Sequence, residues 1–143
     1  MKTSITEALI DCREVVFDNA TAGMRFAFGL ADDTDAGDTA SGPLFKQDLD
    51  FVLFEFDVDS SRRAGPGAFS PTRHWGTVAI SIQTKEAGRE IFYMRQLEQY
   101  ASWFAEKTIR DIRFRTFTPL PRSRLIGFTS YQGVINFDFE VTK

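Results

Sequence analysis

The chain has 143 residues, 43% of them hydrophobic and fifteen of them Phe, with a formal net charge of −3 at pH 7. That length suits one hydrophobic core and not two, so residues 1–143 are expected to form a single domain. No run approaches the roughly 18 apolar residues of a membrane helix, the acids in MKTSITEALIDC do not suit a secretory leader, and a single cysteine, Cys12, cannot close an internal disulfide; a protein of the cytoplasm, without a membrane partner, is expected.

In chain order, the first element predicted is a helix. Ser4 and Glu7 have capping-box spacing, and Ile5, Ala8, Leu9, Cys12, Val15 and Val16 make one apolar stripe. On that stripe Cys12 is expected to be a buried, inert thiol. Asn19 to Gly23 offers a stop, and Met24 to Leu30 follows as a short strand or extended segment with Phe26 and Phe28 on one side. Residues 31–43, ADDTDAGDTASGP, hold acids and turn formers with no core anchor, which predicts a mobile loop. Asp33 and Asp35 are spaced like the first ligands of a calcium loop, but Gly37, Asp38 and Leu44 stand where a third ligand, the turn glycine and the bidentate glutamate belong. No metal is expected.

Leu44 to Asp59 contains a strand with Val52, Phe54, Phe56 and Val58 on one face and Leu53, Glu55 and Asp57 on the other. It is expected to pair with the alternating strand Thr77–Gln83. Between them the fourteen residues SSRRAGPGAFSPTR (60–73) carry glycines and prolines that predict an irregular, protruding, basic hairpin arm. From Glu86 to about Lys107 the period changes to that of a helix, with Ile91, Met94, Leu97, Ala101 and Phe104 inward, on the order of 30 Å long at about 1.5 Å per residue. Ile112–Thr118 is the next strand, with Arg113, Arg115 and Phe117 on its outward face, stopped by Pro119 and Pro121. Arg124–Tyr131 and Gly133–Val141 are read as a last pair turning near Gln132 and Gly133, with Asn136, Asp138 and Glu140 outward. The fold class expected is α+β: a mostly antiparallel β-sheet with two α-helices packed on one face and a long β-hairpin arm.

Charge is unevenly distributed along the chain. Residues 1–60 carry four Lys/Arg against thirteen Asp/Glu, and residues 61–143 carry thirteen against seven, giving −9 and +6. Such polarity would favour a heterologous contact in which the acidic part of one subunit faces the basic part of the next.

Catalytic constellations are sparse. His74 is the only histidine, with no Cys, Asp or Glu at ligand spacing, and it is expected to be a partly exposed packing residue rather than a ligand or base. There is no phosphate-binding glycine loop, nucleophile elbow or HExxH. Asp48 with Asp50, and Asp57 with Asp59, follow strand alternation and read as a solvated face. Neither catalytic nor cofactor-binding residues are expected, and the protein is not expected to be an enzyme. Lys107, Arg110, Arg113, Arg115, Arg122 and Arg124 lie within eighteen residues with Phe114 and Phe117 interleaved, a pattern open to single-strand binding. An overall pI near 5.2 argues instead for a subunit or partner interface.

The order of an amphipathic N-terminal helix, the strand FVLFEFDV, a loop closing in Arg73-His74-Trp75-Gly76, the strand TVAISIQ, the turn KEAGRE entering the long helix, and the late strands IRFRTF and VINFDFEV resembles the tail-terminator (tail-completion) proteins of long-tailed bacteriophages. The resemblance covers most of the chain outside residues 31–43. It implies a structural protein of the virion, assembled in the host cytoplasm as a ring of copies of itself, commonly a homohexamer. Such a ring caps the head-proximal end of the tail tube, stops tube polymerisation and offers its other face to a head-completion or neck protein, while DNA passes its lumen without specific binding. Another neck or head-tail joining protein is the alternative. The arm residues Arg62, Arg63, Phe69 and Arg73 are expected to contact a neighbouring subunit or the tube, and Arg113 and Arg115 to meet acids of a neighbour.

Overall fold

The N-terminal helix forms over Ile5–Asn19 (α1) in a computed structural model that describes residues 2–28, 50–63, 70–85, 88–125 and 128–142. Half of the predicted capping box forms, Ser4 Oγ accepting from the Glu7 N–H at 3.0 Å, whereas the Glu7 carboxylate accepts from the N–H of Thr3, one residue before the N-cap, at 2.8 Å. Asn19 closes the other end by donating from its side chain to the Val15 carbonyl at 2.8 Å. Ala8, Cys12, Val15 and Val16 are buried, while Ile5 at the start of the stripe is exposed.

The remaining elements are β1 (Phe26–Ala27), β2 (Phe51–Arg63), β3 (Thr72–Thr84), α2 (Glu90–Ala101), β4 (Thr108–Ile109), β5 (Ile112–Leu125) and β6 (Phe128–Val141). The strands make one six-stranded sheet in the order β1-β2-β3-β6-β5-β4, antiparallel throughout except for the short β1–β2 pair. This is the α+β architecture the sequence predicts. Alternation in β2, β3 and β6 sends Val52 and Phe54, then Val78, Ile80 and Ile82, then Tyr131, Ile135 and Phe137 to one face. That face meets the buried stripes of both helices in a single core, at about 1.5–3 kcal/mol for each large side chain removed from water. Phe54 lies near its centre, with the rings of Phe26, Tyr100, Trp103 and Phe104 6.0–6.5 Å away. On the other face Ala27, Phe51 and Leu53 form a small separate cluster, so Leu53, expected outside, is buried.

Four boundaries differ from expectation, each for a packing reason. Helix α2 has twelve residues, about 18 Å rather than 30. Its buried stripe is Tyr93, Leu97 and Ala101, which leaves Ile91 71% exposed. Phe104 still reaches the core, from the turns that follow the helix. The arm is more regular than its composition suggests, because β2 and β3 continue their ladder through Arg62↔Arg73 and Arg63↔Thr72; only Phe69 and its neighbours in 64–69 lie outside the described residues.

Gln132 and Gly133 are not a turn but the middle of β6, paired with Ser81 and Ile80. Glycine stands there because the Phe117 ring lies over it, where a Cβ would come within 2.2 Å of a ring carbon. The hairpin instead turns between Leu125 and Phe128. Pro119 and Pro121 do not end β5, since a sheet-edge strand has N–H positions it need not use. A register shift between Phe114 and Phe117 carries Phe117 to the core face, so it does not share a face with Arg113 and Arg115. The strand expected from Leu44 is described from Phe51 onward, and the acidic 31–43 stretch lies outside the described residues.

Candidate functional site

Neither described helix packs on the second face of the sheet, and the arginines singled out in the sequence gather there. Register builds a row across it: Ser60 pairs with Trp75, Trp75 with Asp138, and Asp138 with Arg113. Asp138, expected outward and solvated, is only 3% exposed. Arg113 Nη2 donates to its Oδ2 at 3.1 Å, and Arg115 donates to Oδ1 from Nη2 at 2.8 Å and Nε at 3.2 Å. A buried carboxylate is tolerable only when charged donors satisfy it, which these two provide. One acid shared by two guanidiniums leaves an excess of +1, and Arg113 and Arg115 keep 51% and 53% of their side-chain surface exposed. The acid the sequence assigned to a neighbour is thus supplied first by their own chain.

One strand away, Arg73 Nη2 donates to Glu140 at 2.6 Å. The two ion-paired groups border a shallow hollow of about 350 Å³, which also takes in Thr108 and Phe139. Of the other arm residues, Arg62 is exposed and makes no ion pair among the described residues, and Arg63 is placed by its backbone in the last rung of the ladder.

The β2 part of the same face is acidic, and at its end Asp59 lines one hollow of about 270 Å³ together with Trp75, Asp138 and Arg115. Glu55 and Asp57 point outward from β2 at positions two apart, and Asp59 occupies the register shift between Val58 and Ser60. All three are exposed, none makes an ion pair among the described residues, and the β3 partners of the first two are Ala79 and Thr77. The solvated-face expectation for Asp57 and Asp59 agrees with this. Asp50 behaves otherwise, accepting from the Tyr93 hydroxyl at 2.6 Å, while Thr84 donates to that hydroxyl at 3.0 Å.

Basic hairpin ends lie at both extremes of the sheet. The β2–β3 end carries Arg62, Arg63 and Arg73 beside Thr72↔Val141, whereas the β5–β6 end, with Arg122 and Arg124, lies beside Thr84↔Thr129. The thirteen residues of β3 separate them by about 40 Å at roughly 3.3 Å each. Arg122 is 3.6 Å from Glu90 at the start of α2.

His74 is more buried than expected, at 8% exposure, with its ring stacked on Phe139 at 5.4 Å. Its Nδ1 finds no partner among the described residues, and burial pushes the imidazole below its ordinary pKa of 6.5. Burial likewise pushes the Cys12 thiol up to about 12, which makes it a poor nucleophile. Among the described residues no group of three or more His, Cys, Asp or Glu could hold a metal ion, and no helix is long and apolar enough to cross a membrane.

Two ionic contacts escaped the sequence reading. Lys2, 5% exposed, pairs with Asp11. Arg110, in the two-residue turn between β4 and β5, reaches Asp11 at 3.2 Å, Glu14, and Asp18 at 3.7 Å. The spacing of those acids, three and then four residues apart on one helix face, was a signal available in the sequence. Its cation was not, because only the fold brings residue 110 to the helix. Compared with known proteins, the chain matches no family model and no curated protein.

Proposed function

We propose that this chain is a structural ring subunit of the tail-terminator type, closing the head-proximal end of a phage tail tube and presenting its other side to a head-completion or neck protein. One observation carries this: a helix-backed sheet whose second face bears charged, half-exposed side chains, with basic hairpin ends about 40 Å apart at opposite extremes. A subunit that must touch a tube below and a neck protein above needs two separated contact ends. A subunit that must touch its own copies on both sides needs two different margins. The interface residues in this proposal are Arg62, Arg63, Phe69 and Arg73 at one end and Arg113 and Arg115 on the basic margin. The ring is a homohexamer, acts by binding and not by catalysis, and passes DNA through its lumen without holding it.

The decisive experiment adds the protein to polymerising tube subunits and measures tube length by electron microscopy, with solution mass followed by light scattering. Shortened or capped tubes carrying the protein at one end are expected. Tubes of unchanged length, with the protein bound instead to a connector ring, would assign it to the head-tail joining class. Arg62→Glu with Arg63→Glu should weaken ring assembly or capping.

A further inference from the structure

We infer that a hollow between the side of α2 and the turn after α1 is a docking site for a segment of another protein that presents a carboxylate beside an apolar side chain. The hollow lies on the helix-backed side of the sheet, away from the charged face described above, and does not depend on the ring. Helix α2 supplies one wall through Arg89, at its N-cap, and then Phe92, Gln96 and Tyr100. Steps of three, four and four residues keep these on one side of the helix, next to the buried stripe of Tyr93, Leu97 and Ala101. The turn at 21–25, ending in Arg25, is the opposite wall, and Asp50 stands at the edge of a floor closed by Val52 and Ile82. Those two side chains are each 2% exposed. The volume, about 360 Å³, lies at the lower end of the range of about 300–1,000 Å³ that ligand sites occupy.

The lining sets the chemistry of the occupant. Two guanidiniums and one carboxylate line the hollow, an excess of +1 among the described residues. The carboxylate, Asp50, already accepts from the Tyr93 hydroxyl at 2.6 Å. Burial, and after it the charge of Asp50, push the Tyr100 phenol above its ordinary value of 10, so its hydroxyl keeps the proton it would donate. Arginine forks and a phenol around an apolar floor suit a carboxylate attached to an apolar group. Arg and Tyr are also side chains enriched among those that carry binding energy between proteins. At the rim Phe92 stays 40% exposed, an apolar surface that a lone small acid would leave wet and a peptide segment covers. Nucleic acid fits less well. Arg89 lies over the Phe92 ring at 4.0 Å and Tyr93 meets that ring edge-on at 5.1 Å, so it is no open platform for a base, and Asp50 repels phosphate.

The test follows backbone amide NMR signals of the isotope-labelled protein while the peptide acetyl-Gly-Glu-Phe-Asp-Leu-Gly-amide is added to millimolar concentration. Shifts should cluster in residues 21–25 and 89–100. The same peptide with Gln and Asn in place of its acids should bind at least about tenfold more weakly. Arg89→Glu should weaken the acidic peptide by a similar factor and leave the fold intact by circular dichroism, because the Arg89 side chain makes no capping hydrogen bond to α2. A peptide with Lys in place of both acids should bind that variant more tightly than it binds the unaltered protein, which a merely damaged fold would not produce. No shifts with the acidic peptide, shifts confined to other residues, or equal binding of the amide peptide would overturn the proposal. So would inorganic phosphate moving the same signals to the same extent, which would mark a general anion site, or an oligothymidylate binding there more tightly than the peptide. None of these measurements reads assembly, so their failure leaves the ring untouched.

Discussion

Replacing Gly133 with alanine tests whether residues 132 and 133 lie in the middle of β6 or in a turn. In the sheet, a Cβ on residue 133 would sit 2.2 and 2.3 Å from Cε1 and Cζ of Phe117 and 3.0 Å from the Thr118 carbonyl oxygen. Carbon atoms pack at about 3.5–4.0 Å, so the ring must withdraw by more than about 1 Å from the place it fills in the core. Overpacking of this kind costs about 1–3 kcal/mol, and alanine recovers about 0.5–1 kcal/mol of backbone entropy relative to glycine. A net loss of about 1–2 kcal/mol follows, which for a chain of this size lowers Tm by several degrees. Since the closest obstacle is one side chain on an edge strand, Phe117→Ala should remove most of the cost and leave only the 3.0 Å approach to the Thr118 carbonyl oxygen. In that background Gly133→Ala should be close to neutral, giving a coupling of about 1–2 kcal/mol in a double-mutant cycle measured by urea unfolding. Equal cost in both backgrounds, or no cost in the otherwise unaltered protein, would refute the packing of Phe117 over Gly133.

Three further outcomes follow from the same geometry. Burial holds His74 neutral and its folded pKa below the ordinary 6.5, so its contribution to stability is fully present above about 6.5 and is lost as pH falls toward the folded value; unfolding midpoints between pH 7 and 5 should drop less in His74→Phe, and an identical drop would remove His74 as the cause. Arg110→Ala should loosen α1, at a cost of about 1 kcal/mol because Arg110 is 43% exposed and partly screened, seen as faster hydrogen exchange in Ile5–Asn19 with little change in the β2–β3 ladder. With its thiol buried and pushed up to about 12, Cys12 should resist alkylation at pH 8 until denaturant is added, and rapid labelling of the native protein would contradict its place under α1.

Much of the fold was legible because it follows from short-range rules. The Ser4 and Glu7 cap, the α1 stripe through Cys12 and Val16, and the alternation of Val78, Ile80 and Ile82 each depend on residues a few positions apart. So does the pairing of β2 with β3, since consecutive alternating segments pair by default. The arginines of the candidate interface were visible as well, because exposed charge in a run needs no fold to be noticed. Their surroundings were not. A lone glycine in an apolar run signals either a turn or a place where another side chain lies close, and only Phe117, sixteen residues away, decides between them at Gly133. The register shift that turned Phe117 inward is likewise invisible to a strict two-residue period.

Composition and periodicity alone therefore determined the fold class, the capped first helix, the helix-covered face of the sheet and the polarity of charge along the chain. Tertiary structure decided where β5 turns into β6, which stripe α2 buries, and that Asp138 is an interior carboxylate held by Arg113 and Arg115. The division has one physical cause. Local patterns report how a residue relates to its own helix or strand, whereas register, bulges and buried ion pairs are set by side chains that meet only after distant segments have been brought together.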